Sequence, residues 1–339
     1  MRILITGGAG YIGSVSVEAF VQAGHDAIVL DDLSTGHRGA VPEKATLEIG
    51  SYGETDAVVG LLRKHRIDAV LHCAAKSIVG ESMTDPAKYF RENVVGGIAL
   101  LEAMRTAGVK RIVFSSTAAT YGMPERTPIA ESDPVRPINA YGETKRDVEG
   151  AIAWYGHGYG FRSVVLRYFN AAGASARNGE LHSPETHLIP NVLAAAEERR
   201  ELTLFGDDYP TPDGTCVRDY IHVEDLAAAH VLALLATDPA DPRTGPPAGP
   251  CQPLICNLGS GTGFSNRQVV AAAEAVVGRG IAVRIGPRRA GDPPVLVAGA
   301  DRATEVLRWR PRHGTIEEII GSAWAWRRAN PNGYADPRA

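Results

Sequence analysis

The segment Tyr141-Gly142-Glu143-Thr144-Lys145 sets a phenol and an ammonium four residues apart. On a helix that spacing puts both groups on one face, so they can point into the same space. A nearby cation favours the ionised form of a phenol, whose ordinary pKa is about 10, and moves it toward use as a base near neutral pH. Proton abstraction beside a positive charge is the chemistry this pair can do. The same spacing also occurs on ordinary amphipathic helices, so the rest of the chain has to decide.

A second chemical signal lies at the start. Residues 2–6, Arg-Ile-Leu-Ile-Thr, form a short apolar run that stops at Gly7-Gly8-Ala9-Gly10-Tyr11-Ile12-Gly13-Ser14, and residues 15–23 read as helix. Glycines in a strand–turn–helix unit permit the tight turn and let backbone N–H groups approach a pyrophosphate, while the helix N-terminus supplies the positive end of a dipole. The next strand, residues 26–30, ends in Asp31-Asp32. An acid about 20 residues beyond the turn is placed to bind an adenosine ribose. The Asp31 carboxylate would accept from the 2'-hydroxyl and repel a 2'-phosphate, which favours NAD over NADP.

Further strand candidates at residues 46–49, 68–73, 111–115 and 163–168 alternate with helices. Alternation of this kind predicts βαβ units and an α/β fold built on a doubly wound parallel Rossmann sheet. Ligands collect at the carboxyl ends of such strands. The residues just beyond those ends, Cys73-Ala74-Ala75-Lys76-Ser77, Ser115-Ser116-Thr117 and Tyr168-Phe169-Asn170, are therefore expected to converge on one crevice. Ala74 and Ala75 would let a cofactor lie close to the backbone, or serve helix packing.

Beyond residue 172 the pattern loosens into a helix near 188–200, a strand at 202–205 and a turn-rich stretch at 206–214. A smaller mixed α/β substrate-binding domain is expected, interleaved with the first, because the helix at 225–235 and the strand at 254–257 look regular enough to rejoin the sheet. The expected division is residues 1–172 plus about 216–258 for the NAD-binding domain, and about 173–215 and 259–339 for the substrate-binding domain. Residues 237–253 carry six prolines and two glycines, which predicts a surface loop.

Composition removes several function classes. In 339 residues, 44% hydrophobic and 22% charged, there is an ordinary globular core. The formal charge of -4 gives no basic footprint for nucleic acid. Cys73, Cys216, Cys251 and Cys256 include no Cys-x-x-Cys, so neither a disulfide framework nor a zinc site is indicated, and no metal is expected. With no signal-peptide pattern and no apolar run of membrane-spanning length, a cytoplasmic protein without membrane contact is expected.

Taken together, the glycine turn, Asp31, Thr117, Tyr141 and Lys145 resemble the extended short-chain dehydrogenase/reductase family, and within it the UDP-galactose (UDP-glucose) 4-epimerases. The resemblance runs nearly end to end through Val79-Gly80-Glu81-Ser82, Asn93-Val94, Glu185-Thr186-His187-Leu188-Ile189-Pro190, Phe205-Gly206-Asp207-Asp208-Tyr209-Pro210, Asp213-Gly214-Thr215 and Asn257-Leu258-Gly259, and through residues 114–122, 167–170, 217–223 and 288–292. It implies inversion at sugar C4 through a 4-keto intermediate, with hydride held transiently by tightly bound NAD. Tyr141 would be the base. Lys145 would bind nicotinamide ribose and lower the Tyr141 pKa, and the Thr117 hydroxyl would help move the proton. The cofactor would lie against Gly7, Gly10, Tyr11, Ile12, Gly13, Asp31, Asp32, Ser51, Tyr52, Cys73, Ala74, Ala75, Asn93, Ser115 and Tyr168. The sugar nucleotide would meet Ser77, Asn170, His187, Leu188, Phe205, Arg218, Tyr220, Arg289 and Asp292, with the two arginines gripping the diphosphate.

Several positions depart from the family pattern. Gly50-Ser51-Tyr52 replaces the usual Gly-Asp-Ile or Gly-Asp-Leu near adenine, Ser77 stands where some members have lysine, and His187 where some have asparagine. Leu296 lies near the position tied to hexose versus N-acetylhexosamine choice and leaves N-acetylated substrates open. A nucleotide-sugar 4,6-dehydratase would need Asp-Glu after the threonine, whereas this chain has Ala118-Ala119. An NAD-sensing protein without catalysis would be expected to lack the Tyr141–Lys145 pair. The family's four-helix pairing, with apolar or small residues on helices near 94–104 and 141–154, predicts a homodimer.

Overall fold

The computed structural model describes residues 1–244, 251–289 and 292–335. Seven strands form the main sheet: β1 (Arg2–Thr6), β2 (Asp26–Asp31), β3 (Thr46–Ile49), β4 (Ala69–His72), β5 (Arg111–Thr117), β6 (Arg162–Tyr168) and β7 (Leu254–Leu258). Their order is β7-β6-β5-β4-β1-β2-β3, and every neighbouring pair is parallel. The chain winds outward from β1 to β3, then passes back to β4 and winds the other way. The crevice between β1 and β4 is thus the topological switch point at which such sheets bind ligands.

Five helices cover the two faces: α1 (Tyr11–Gln22), α2 (Thr55–Lys64), α3 (Gly96–Ala107), α4 (Ala140–Tyr159) and α5 (Val223–Ala236). Side chains alternate across a strand, and β1 shows the consequence. Ile3 and Ile5 join Val17 and Phe20 of α1 and Leu226 and Ala229 of α5. Leu4 faces the other way, toward Val58 and Leu62 of α2, Leu100 and Met104 of α3, and Val148 and Ile152 of α4. Burial on both sides is why these strands read as unbroken apolar runs.

Helix boundaries matter most where they carry chemistry. The first helix begins at Tyr11, four residues earlier than its apolar pattern predicts, because the glycine turn runs directly into it. Helix α4 is started by the Asn139 side chain, which accepts from the Gly142 N–H, and is ended by Gly160 at φ 73°, a left-handed cap that glycine adopts without steric cost. A π-helical turn, Phe90–Val95, precedes α3 and delays its start to Gly96.

The second unit is built around the strand Val217–His222. It pairs in parallel with Asn170–Ala172 and with Val295–Leu296, and antiparallel with Gly263–Ser265. Helices Leu188–Glu198, Asn266–Val277 and Ile316–Ala329 share a core that includes Val192, Val269 and Ile320. Between these pieces in sequence, α5 packs on the main sheet and β7 pairs with β6 at its edge. Within the proline-rich stretch 237–253, Pro242–Thr244 forms a short 3-10 turn; residues 245–250 lie outside the described residues. Among the described residues no helix is long and apolar enough to cross a membrane.

Candidate functional site

One cavity of about 1170 Å³ opens at the carboxyl ends of the strands and is closed by the second unit. It is walled by every site residue singled out from the sequence except Asn93. Asn93 stands behind the wall, in the π-helical turn, where Oδ1 accepts from the Lys76 N–H at 2.8 Å and Nδ2 donates to the Lys76 carbonyl and to Thr144 Oγ1, each at 3.0 Å. Its amide is spent on bracing residue 76 rather than on lining the cavity.

The glycine turn presents a cradle. A Cβ on Gly13 would lie 2.0 Å from the Gly7 carbonyl oxygen, and one on Gly7, at φ 70°, would lie 2.6 Å from the Ala74 nitrogen, so only glycine permits this packing. Gly10 precedes α1 without any side-chain cap. The first N–H groups of that helix thus open toward the cavity unsatisfied, the arrangement that receives a phosphate. At the end of β2, Asp31 accepts from the N–H groups of Ala9 and Leu33, each at 2.9 Å. Burial raises its carboxyl pKa, with those two N–H groups pulling it down. A carboxylate has acceptor sites beyond two, so a ribose hydroxyl can still be held. These groups fit a dinucleotide.

Deeper in the cleft, Gly142 explains the register of Tyr141. A Cβ there would meet the Ala119 carbonyl oxygen at 2.5 Å, so the first turn of α4 sits directly on the segment after β5 and brings Tyr141 beside Thr117. Lys145 is 3% exposed. Its ammonium donates to the Ser115 carbonyl at 2.8 Å and lies 4.9 Å from the centre of the Phe114 ring. Burial depresses its pKa to about 8, against the pull of Cys73 and Glu149. Burial raises the Tyr141 phenol to about 12, with the Thr117 hydroxyl alone pulling the other way. The lowering of Tyr141 by Lys145 expected from the sequence is therefore absent in the protein alone, because the phenol is desolvated and the ammonium is turned to a backbone carbonyl.

On the β4 side of Lys145 the neighbouring His72 and Cys73 are neutral. Burial, then Lys145, push His72 down to about 3, and burial raises the Cys73 thiol to about 12. Tyr168 bonds Ser115 through its hydroxyl and meets His230 Nε2 at 3.2 Å. The Tyr52 hydroxyl is committed to the Glu92 carbonyl at 2.6 Å.

A buried network missed by sequence reasoning lies under the pair. Glu149, one turn beyond Lys145, takes hydrogen bonds from Arg167 Nε at 3.0 Å and Nη2 at 2.5 Å, and from the Ser116 hydroxyl. Arg167 Nη1 reaches the Tyr121 hydroxyl at 3.0 Å, which in turn donates to Asn257 Oδ1 at 2.7 Å. The chain ties α4, β5, β6 and β7 together. A Lys145–Glu149 i,i+4 pair on the buried face of a helix was the available signal.

At the far end, Arg218 Nη2 lies 2.5 Å from Asp292 Oδ1, and the Arg289 guanidinium lies 4.2 Å from the centre of the Phe205 ring. Glu180, His182, Glu185 and His187 meet at the cavity edge. His187 Nδ1 is 2.7 Å from Glu180 and 3.2 Å from Glu185, and the Glu180 side chain is 7% exposed. Sequence reasoning took only His187 from this group.

Known proteins share this layout. Residues 3–244 match the family model described as "NAD dependent epimerase/dehydratase family". The chain is similar to a UDP-glucose 4-epimerase of Lactobacillus helveticus, 48% identical over 342 residues that take in 99% of this chain and 100% of that protein. The solved UDP-glucose 4-epimerase of Brucella ovis in complex with NAD has a TM-score of 0.90 at 44% identity, covering 96% of this chain and 98% of that one. That of Bifidobacterium longum in complex with NAD+ and UDP has a TM-score of 0.90 at 32% identity, covering 98% and 100%. With one cavity built from a parallel sheet's switch point, and with likeness of this extent, the chain belongs to the NAD dependent epimerase/dehydratase family.

Proposed function

We propose that this protein is a UDP-glucose 4-epimerase that interconverts UDP-galactose and UDP-glucose by inversion at sugar C4. The observation that carries the reading is a single cavity holding Tyr141, Thr117 and Lys145 between an uncapped helix N-terminus with Asp31 at one end and Arg218 with Arg289 at the other. That span suits a dinucleotide at the sheet and a UDP-sugar against the second unit.

NAD, when bound, supplies reversible hydride acceptance at C4 and a positively charged ring. Tyr141 removes the proton from the sugar 4-hydroxyl as a 4-keto sugar forms, and returns it when C4 is reduced from the opposite face. Thr117 donates to or accepts from O4 and the phenol oxygen and so carries the proton between them. Lys145 holds a ribose hydroxyl and supplies positive charge. Arg218 and Arg289 hold the diphosphate, where a planar charged fork matches phosphate oxygens, so the keto sugar can turn over while its nucleotide stays anchored. Ala118 and Ala119 line the same cavity, and methyl groups cannot perform the proton transfers of a dehydratase.

Residues 1–172 with about 216–258 carry the cofactor in this reading, and about 173–215 with 259–339 carry the UDP-sugar. The protein is a cytoplasmic homodimer; Val95, Ile98 and Trp154, on or beside α3 and α4, expose 61%, 41% and 72% of their surface, which supports pairing through those helices. The test is incubation of the NAD-loaded protein with UDP-galactose and coupled detection of UDP-glucose, with UDP-N-acetylgalactosamine run alongside. Interconversion of the hexoses is expected, and its absence in intact NAD-loaded protein refutes the assignment.

A further inference from the structure

The grouping at the cavity edge has a donor set of which the proposed sugar-nucleotide site uses only His187. Four side chains, Glu180, His182, Glu185 and His187, each bring one donor atom to a space in which all four lie within 4.8 Å of one another. Their mutual distances are informative. His182 Nδ1 to Glu180 is 3.3 Å and His182 Nδ1 to Glu185 Oε2 is 3.6 Å, while His187 Nδ1 stands 3.2 Å from the other Glu185 oxygen, Oε1. Ligands 2.0–2.2 Å from a tetrahedral zinc ion stand about 3.3–3.6 Å apart. The shortest histidine–carboxylate approach in the group, His187 Nδ1 to Glu180 at 2.7 Å, is a hydrogen bond that a metal would replace.

Two further observations point to a ligand. His182 Nδ1 is buried and has no hydrogen-bond partner, although it faces two carboxylates. Glu180, with its side chain 7% exposed, is paired among the described residues with His187 at 2.7 Å and faces His182 Nδ1 at 3.3 Å. The Glu185 carboxylate is oriented by the N–H groups of Thr186 and His187, both 2.8 Å from Oε1, which leaves Oε2 toward His182. Outer-shell bonds of this kind fix a metal ligand before the ion arrives. By contrast the other His/Glu grouping, His222 with Glu224 and His313, has both His222 nitrogens engaged, by Ser322 and by the Glu224 N–H.

We propose that Glu180, His182, Glu185 and His187 bind one divalent metal ion of the zinc type. Two imidazole nitrogens with two carboxylates select a borderline transition metal over magnesium or calcium, which prefer all-oxygen shells. Four protein ligands close the tetrahedron, the arrangement of a structural site with no open position for chemistry. The ion clasps residues 180–187 between strand Asn170–Ala172 and helix Leu188–Glu198, and thereby firms the part of the cavity wall that carries His187 and Leu188. No cysteine contributes, and the four ligands come together only through the folded loop, so a search for cysteine spacing does not find them.

The test uses untagged full-length protein that keeps its bound dinucleotide, freed of metal by dialysis against a chelator. Zinc chloride is titrated in competition with a chromophoric chelator, and cobalt(II) binding is followed by visible absorption. Expected are one zinc per chain, at least about tenfold weaker binding in His182→Gln and in Glu185→Gln, and the intense d–d bands of four-coordinate cobalt. Circular dichroism in chelator identifies whichever variant keeps the fold. Absence of saturable zinc binding, unchanged affinity in a folded variant, or a weak six-coordinate cobalt spectrum overturns the site.

Discussion

Replacing Glu149 by Gln removes the anion from a pair in which Glu149 is 6% and Arg167 4% exposed. The guanidinium then stays buried with two of its three contacts altered: the two bonds to the carboxylate at 3.0 and 2.5 Å lose their charge, and the bond to Tyr121 at 3.0 Å alone remains as it was. Breaking a buried pair from one side costs about 3–5 kcal/mol, a large share of a total stability of about 5–15 kcal/mol. The companion variant carries Met at both 149 and 167. No charge is then stranded, and Tyr121 keeps its bond to Asn257 at 2.7 Å. What remains is the orphaned Ser116 hydroxyl, about 1–3 kcal/mol. The double variant is therefore expected to be more stable than Glu149→Gln. Urea unfolding at pH 7 with the cofactor state held fixed measures both. A Glu149→Gln midpoint equivalent to less than about 1 kcal/mol, or a double variant less stable than the single one, refutes the argument.

Three further outcomes follow from the same geometry. Tyr141→Phe is expected to lower kcat about 10²–10⁴-fold while melting temperature and NAD content stay near wild type; an unchanged kcat removes the base assignment. Gly13→Ala would drive a methyl to 2.0 Å from the Gly7 carbonyl, so the turn must open; overpacking of about 1–3 kcal/mol and loss of copurified NAD are expected, and full NAD content at wild-type stability would count against the cradle. Lys145 supplies a pH signature in cofactor-free protein: its folded pKa is depressed from 10.5 to about 8, so below pH 8 it is charged in both states and its burial cost is complete. Between about 8 and 10.5 the folded form sheds the proton while the unfolded form keeps it, so stability rises with pH. The stability advantage expected for Lys145→Met at pH 7 should shrink by up to about 3 kcal/mol by pH 10, and a gap in urea midpoint that does not narrow contradicts this.

The main sheet was legible because its inner strands are buried on both faces and several strands end at residues with special backbone needs. Residues 2–6 and 46–49 coincide with β1 and β3, and the acid at 31 falls at the end of β2. What periodicity could not give was pairing. Strand Val217–His222 joins Asn170–Ala172 across 44 residues of intervening chain, and β-partners at that separation leave no local pattern. The same holds for the site. Residues beside glycine turns or strand ends line one cavity, as expected, and Asn93, expected at the cofactor, stands behind its wall and holds Lys76, while Glu149 under Lys145 and Glu180 beside His187 act through contacts fixed only by the fold. Charged residues inside a helix face carry some signal; a carboxylate on a loop carries almost none.

The Tyr141–Lys145 pair shows why spacing alone misjudges charge. Four residues on a helix predict that the ammonium stabilises a phenolate, yet the folded chain raises the phenol to about 12 and lowers the ammonium to about 8. Both shifts have one main cause, desolvation, which penalises the charged form of each group. The helix that brings the two residues together also carries them out of water, and the Ser115 carbonyl takes the ammonium's hydrogen bond at 2.8 Å. Near pH 7 the protein by itself therefore holds a neutral tyrosine and a charged lysine. A base at Tyr141 has to be made by what enters the cavity: positive charge near the phenol and a hydroxyl presented through Thr117. In the proposed reaction, proton abstraction by Tyr141 is in this way tied to occupancy of the cavity.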